Sequence, residues 1–281
     1  MEINLAWLLV LPVVFALGWL AARFDRGQQL RESRHVPKDI LNAMSLLLAG
    51  DSAKATDALL SAARSQPDAM ELHRAVGNLY RQRGLIDRAI EVHEAALRHP
   101  KLTMVDRVNL VLDLSRDYLA AGLFDRANDA LVDFLAHVPA GDEFLNRAND
   151  ARLMLLQTAQ RTRDWQQAIH WAQEAHQAGA DFASQSGHIY EQLMGHFYCE
   201  LAALAMIKND TQAALAFLSQ ADGVAAPGPA KRVAMMRAQL AGSDSSEPPT
   251  VRACTACGFR SKTLYWQCPG CHHWDSFEAA K

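Results

Sequence analysis

The chain has 281 residues, half of them apolar, with a formal charge of −3 and only ten prolines. This composition excludes collagen-like and low-complexity chains and points to a predominantly helical protein. The near balance of charge, without a basic stripe interleaved with aromatics, leaves no electrostatic footprint for nucleic acid.

In chain order, the first feature is an uncharged run of 18 residues from Leu5 to Ala22, with Trp7 and Trp19 near its ends. That length is just enough to cross a thin hydrocarbon core as a helix, and indoles favour the membrane interface. Only Glu2 precedes the run as a charged side chain, whereas Arg23, Arg26, Arg31, Arg34 and Lys38 follow it. The positive flank belongs in the cytoplasm, so a single-pass anchor over 1–22 and a juxtamembrane segment over 23–35 are expected, with the rest of the chain cytoplasmic. A cleaved signal peptide would need a basic n-region, which is missing.

From 36 to 241 the pattern is repetitive. His73, Val76, Gly77, Tyr80, Gly84, Asp87, Ala89, His93, Ala96 and Pro100 follow the tetratricopeptide pattern, with the two histidines in place of the usual aromatics. Gly50, Ala55, Leu59, Ala62 and Pro67 give the preceding unit, and Ala55 and Ala89 are 34 residues apart. Tyr118, Gly122, Asp125, Ala127 and Leu131 form the next unit at a spacing of 38. A fourth unit is expected around Asp164, Trp165, Ala168 and Ile169, and a fifth around Asn209, Asp210 and Ala213; 230–240 reads as the first helix of a sixth. Small residues such as Ala55, Ala89, Ala127 and Ala168 let paired helices approach, and the pairs bury their apolar faces by stacking into a solenoid.

Chemistry is thin in this stretch. The histidines are scattered, and no nucleophile elbow, phosphate loop or nucleotide fingerprint occurs, so no catalytic residue and no cofactor-binding residue is assigned. Cys199 lies in an apolar helical run and reads as a buried, inert thiol.

Residues 242–250 are a Ser- and Pro-rich linker, and 251–281 form a last domain too small to be held by apolar burial alone. Here Cys254 and Cys257, then Cys268 and Cys271, make two C-x2-C turns with ten residues between them. Two such turns supply four thiolate corners of a tetrahedron around one Fe or Zn ion, whose binding would contribute much of the folding free energy. Gly258 and Gly270 suit a backbone that must reach positive φ or pass close to sulfur, with amides pointing at the thiolates. Disulfides would need an oxidising compartment, and a redox C-x-x-C would open a helix in a βαβ unit that is absent. His272 and His273 read as surface residues beside a complete ligand set. Phe259, Leu264, Tyr265, Trp266 and Trp274 either form the domain's own small core or partly dock against the repeats.

Together, the anchor, the repeat stretches 77–90, 116–127 and 196–202, and the tail Cys254-x2-Cys257-Gly-Phe…Trp266-x-Cys268-Pro-x-Cys271-x2-Trp274 resemble the lipopolysaccharide assembly protein B family. The resemblance implies an all-α inner-membrane protein with an N-terminal transmembrane helix, a repeat solenoid and a C-terminal rubredoxin-like metal knuckle, facing the cytoplasm. It implies a non-catalytic adaptor that helps a membrane-anchored AAA+ protease of the FtsH type degrade the lipid A deacetylase, with other envelope-biosynthesis proteins and membrane lipid as further contacts. It also favours Fe over Zn at Cys254, Cys257, Cys268 and Cys271. Typical members carry several more repeats before the knuckle, so this chain reads as a shortened member. A membrane-tethered rubredoxin-like electron carrier, with the repeats selecting its partner, is the alternative reading.

Overall fold

A computed structural model of the protein describes residues 38–66, 68–183, 189–224, 226–243 and 250–279. The predicted anchor, the basic flank as far as Arg34, Pro67 and most of the linker lie outside these residues. Among the described residues no helix is long and apolar enough to cross a membrane.

The chain forms two compact units, 1–101 and 102–281. The first contains α1 (Lys38–Leu48), α2 (Ser52–Ser65), α3 (Met70–Gln82) and α4 (Ile86–Leu97). The second contains α5 (Met104–Ala121), α6 (Phe124–His137), α7 (Asp142–Thr162), α8 (Trp165–Gln177), α9 (Tyr190–Ile207), α10 (Thr211–Gly223) and α11 (Pro227–Leu240). It ends in β1 (Arg252–Cys254), β2 (Arg260–Ser261) and β3 (Phe277–Ala279). Helices pair as antiparallel hairpins, α1 with α2 through α9 with α10, and within each unit successive hairpins pack on one another.

One local device makes every hairpin. A left-handed residue, Gly50, Gly84, Gly122, Arg163 or Asn209, ends the first helix. The following amide then donates back across the turn, as from Leu85 to the Tyr80 carbonyl at 2.9 Å, Leu123 to Tyr118 at 2.8 Å and Asp164 to Ala159 at 2.9 Å. This is the six-residue bond of a Schellman turn, which satisfies carbonyls that the helix end leaves open. Glycine takes the conformation without Cβ strain, whereas Arg163 and Asn209 do not. Those two turns carry an aspartate N-cap, as does the Gly50 turn through Asp51. Asp164 accepts from the Gln167 amide at 3.1 Å and Asp210 from the Ala213 amide at 2.9 Å, caps worth about 1 kcal/mol each.

The turn sets the register of the second helix. Five residues beyond each left-handed residue stands a buried alanine: Ala55, Ala89, Ala127, Ala168 and Ala214. Nine residues beyond are the buried Leu59, His93, Leu131, Ala172 and Leu218. In the fifth hairpin the packing alanine is therefore Ala214, one step past the Ala213 suggested by the pattern. His93 also shows why its partner helix has a glycine. A Cβ on Gly77 would overlap the His93 ring, which lies 0% exposed against it. The arginine four residues past the turn stacks on the tyrosine four residues before it, Arg88 on Tyr80 and Arg126 on Tyr118, both at 5.9 Å. The repeated contact identifies two turns of the same construction, one in each unit.

The tail is not helical. β1 pairs antiparallel with both β2 and β3, giving a small sheet in the order β2-β1-β3. An isolated bridge between Gln267 and Trp274 forms a second hairpin beside it.

Candidate metal centre and its docking face

The two C-x2-C turns fold into near copies of each other. The Cys254 amide donates to the Phe259 carbonyl and the Cys268 amide to the His273 carbonyl, both at 2.8 Å. The Gly258 amide donates to the Cys254 carbonyl and the His272 amide to the Cys268 carbonyl, both at 2.9 Å. Equivalent hydrogen bonds require equivalent backbones. Gly258 has φ +76° and His272, at the matching step, has φ +61°. The second turn thus asks a histidine for a conformation that the first gives to glycine. Gly270 has another role: it lies beside the sulfurs, and its amide donates to Cys268 Sγ at 3.4 Å.

The four Sγ atoms all lie within 4.8 Å of one another. Cys254 and Cys271 are 3.6 Å apart, as are Cys257 and Cys268. Metal–sulfur bonds of about 2.3 Å give a tetrahedron with edges near 3.8 Å, so this donor set fits one Fe or Zn ion. Burial pushes the Cys254 thiol up, yet hydrogen bonds with the Ser276 hydroxyl and the Cys257 and Ala256 amides outweigh it and bring it down to about 6. Burial pushes Cys271 up to about 12, with crowding by the other thiols adding to the rise. A site that cannot ionise all four thiols by itself is one that a cation stabilises by neutralising them.

The aromatic residues divide between the two expected roles. Phe259, Tyr265 and Phe277 pack edge to face within the tail, with centroids 5.7–6.5 Å apart; Phe277 is buried, whereas Phe259 and Tyr265 stay on the tail's surface. Leu264 packs against Cys254, Cys268 and Phe277. Trp266 and Trp274 face the helices instead. Trp274 is 3% exposed and belongs to the α7–α9 core. Its ring stacks on His196 at 4.6 Å and meets Trp165 and Phe197 edge-on at 6.1 Å. Its indole N–H donates to Gln160 Oε1 at 3.2 Å. The Arg232 guanidinium lies over the Trp266 ring at 5.8 Å and pairs with Glu200 at 2.8 Å.

Asp275 completes the dock. Its Oδ2 lies 2.8 Å from His196 Nε2 and accepts from the Gln192 amide at 2.7 Å. A Cβ on Gly228, in the first turn of α11, would collide with this carboxylate. Gln160, Trp165, Gln192, His196, Gly228, Arg232 and Asp275 were not singled out as site residues by sequence reasoning. The one available signal was Gly228 set between Pro227 and Pro229, a small residue at a helix start. His272 and His273 are exposed, as expected. Cys199 is 0% exposed and apart from the cluster, with burial pushing its thiol up to about 11.

Fold and site together define a class: a helical-hairpin repeat protein with a four-cysteine knuckle seated against its helices. Comparisons with known proteins agree with that class. Residues 253–279 match the family profile described as "Rubredoxin metal binding domain". The chain is 34% identical over 233 residues to lipopolysaccharide assembly protein B of Escherichia coli K12, covering 83% of this chain and 56% of that protein. It is 30% identical to the Haemophilus influenzae protein of that name, covering 59% of this chain and 42% of the relative. The resemblance to lipopolysaccharide assembly protein B read from the sequence is thus shown, and the chain spans about half the length of these relatives. Among solved structures, it resembles MamA (TM-score 0.43, 16% identity, 65% of this chain and 93% of that one). It also resembles YrrB, titled "a TPR protein with an unusual peptide-binding site" (TM-score 0.45, 14% identity, 75% and 96%).

Proposed function

We propose that this chain is a non-catalytic adaptor in lipopolysaccharide assembly. In this reading residues 1–22 anchor it in the inner membrane, 23–35 follow as a juxtamembrane segment, and repeats over 36–241, a linker over 242–250 and a metal-binding domain over 251–281 face the cytoplasm. The observation that carries the reading is the seating of Trp274 and Asp275 among α7, α8, α9 and α11. The alternative, a membrane-tethered electron carrier, would need its metal domain to reach a redox partner, whereas this knuckle is built into the wall of the helical-repeat scaffold. The relatives' name, an assembly protein, supports the same direction.

The four cysteines are proposed to hold one tetrahedral metal ion, Fe or Zn, as their spacing and the matching metal-binding profile support. Such an ion, when bound, neutralises the thiolates and ties the two turns together. The client is proposed to be the lipid A deacetylase, presented to a membrane-bound protease of the FtsH type. Crosslinking in cells, followed by identification of captured proteins, tests this directly. Capture of both the protease and the deacetylase is expected. Capture of neither, together with an unchanged deacetylase half-life after deletion of the gene, would overturn the assignment.

A further inference from the structure

The seam between knuckle and helices encloses a half-open cavity of about 250 Å³. Its floor is apolar, made by Leu153, Met154 and Leu193. The rim carries Gln157 and Arg161 from α7 and His272 from the facing knuckle turn. No aspartate or glutamate lines it, and the Cys271 thiol is the one lining group that could carry negative charge. Arg161 is exposed and forms no ion pair among the described residues. A pocket that swallows a drug-sized ligand has roughly 300–1,000 Å³, so this one takes a side chain or two of a larger molecule. Being open at its mouth, it also lets a chain enter and leave, which suits a segment within a peptide.

From this juxtaposition of apolar floor, free guanidinium and amide rim, we propose that the seam pocket binds an extended, acidic client peptide. A large apolar side chain fills the floor while a neighbouring aspartate or glutamate pairs with Arg161. The arginine fork matches a carboxylate at the exposed rim, where the pair selects the ligand's charge more than it adds affinity. Because α7 and the knuckle each supply one wall, the pocket exists only while Trp274 is seated. The metal therefore bears on recognition by holding in place a wall that includes Cys271. The proposal deepens the adaptor reading and rests on it for the client's presence, but it concerns binding alone.

The test uses the full chain in detergent micelles and fluorescein-labelled peptides blocked at both ends. One contains Leu-Asp-Leu, a second Leu-Asn-Leu and a third Leu-Lys-Leu; a fourth ends in a free leucine carboxylate. Anisotropy is expected to show saturable binding of the aspartate peptide, with the asparagine peptide about two- to fivefold weaker. Arg161→Gln should weaken the aspartate peptide by a similar factor and leave the asparagine peptide unchanged. Arg161→Glu should transfer preference to the lysine peptide, a switch that a merely structural role for Arg161 would not produce. Equal binding of aspartate and asparagine peptides, insensitivity to Arg161→Gln, or binding only of the free carboxylate end would overturn it. Failure here with protease and deacetylase still captured in cells would leave the adaptor reading standing. Peptide binding without that capture would do the reverse.

Discussion

At the scale of single residues the cysteines separate into two kinds that composition does not distinguish. Cys268 is fully buried at the centre of the cluster, and Cys268→Ser removes a soft ligand that an alcohol replaces poorly. Metal content of the purified variant should fall well below one equivalent, while circular dichroism still reports folded repeats, because the tail is a small part of the helical signal. A full equivalent retained would contradict the four-cysteine set. Cys199 stands apart from the cluster and matters through its burial. Its thiol sits at about 11 in the folded protein, raised by burial from an ordinary value of 9. Between these values the unfolded thiol ionises and the folded one does not, so its contribution to stability is intact below pH 9 and is lost as pH rises towards 11. Urea midpoints should therefore decline less steeply from pH 9 to 11 in Cys199→Ala than in the parent, whatever the variant's offset at neutral pH. Parallel declines would show that Cys199 ionises normally.

Among the elements, the turns carry the clearest free-energy differences. Gly84 and Gly122 adopt left-handed backbone without strain, and Arg163 adopts φ +59° with it. Arg163→Gly should raise stability by roughly 0.5–1 kcal/mol, the relief of Cβ strain exceeding the added entropy of the unfolded chain. A lower denaturation midpoint would mean that the Arg163 side chain holds the turn by a contact that outweighs its backbone strain. The same logic applies to the knuckle. His272→Gly should leave metal affinity intact or improve it, since Gly258 performs the matching step in the first turn; loss of metal in that variant would give His272 a role beyond geometry. The hairpin turns were legible in the sequence because glycine at fixed intervals marks a left-handed residue. The turns at Arg163 and Asn209 were less so, and the fifth register slipped to Ala213, because arginine does not advertise positive φ and asparagine marks it less sharply than glycine.

On the scale of the whole molecule the decisive contact is between elements far apart in the chain, Asp275 and Trp274 against His196, Gln192 and Gln160. Gly228→Ala places a methyl group where the Asp275 carboxylate lies, so it should weaken the seating of the knuckle without touching a proposed metal ligand. Trp274 fluorescence should shift to the red and the linker become more sensitive to protease, at unchanged metal content. An unshifted spectrum would mean that α11 yields and the contact is adaptable. Cutting the chain in the linker is a stronger version of the test. A tethered tail has an effective concentration near its dock of about millimolar, which cleavage abolishes. Adaptor activity, read as rapid turnover of the deacetylase, should then be lost even though both pieces fold.

What the sequence determined by itself is what short-range physics encodes. Glycine, alanine and tyrosine at repeat spacing specify helical hairpins, and two C-x2-C turns bring four sulfurs to within 4.8 Å, because each depends on neighbours a few residues away. The uncertainty over Phe259, Leu264, Tyr265, Trp266 and Trp274 could not be resolved at that level, since an apolar side chain is equally at home in a small core or at a dock. Only the tertiary structure divided them, packing Leu264 against the cysteine cluster, leaving Phe259 and Tyr265 on the tail's own surface and setting both tryptophans against the helices. His196, Asp275 and Gly228 acquire their meaning there too. A hydrogen-bond contact across 79 residues and a glycine that makes room for a carboxylate leave no periodic trace, because the distance that matters is measured through space.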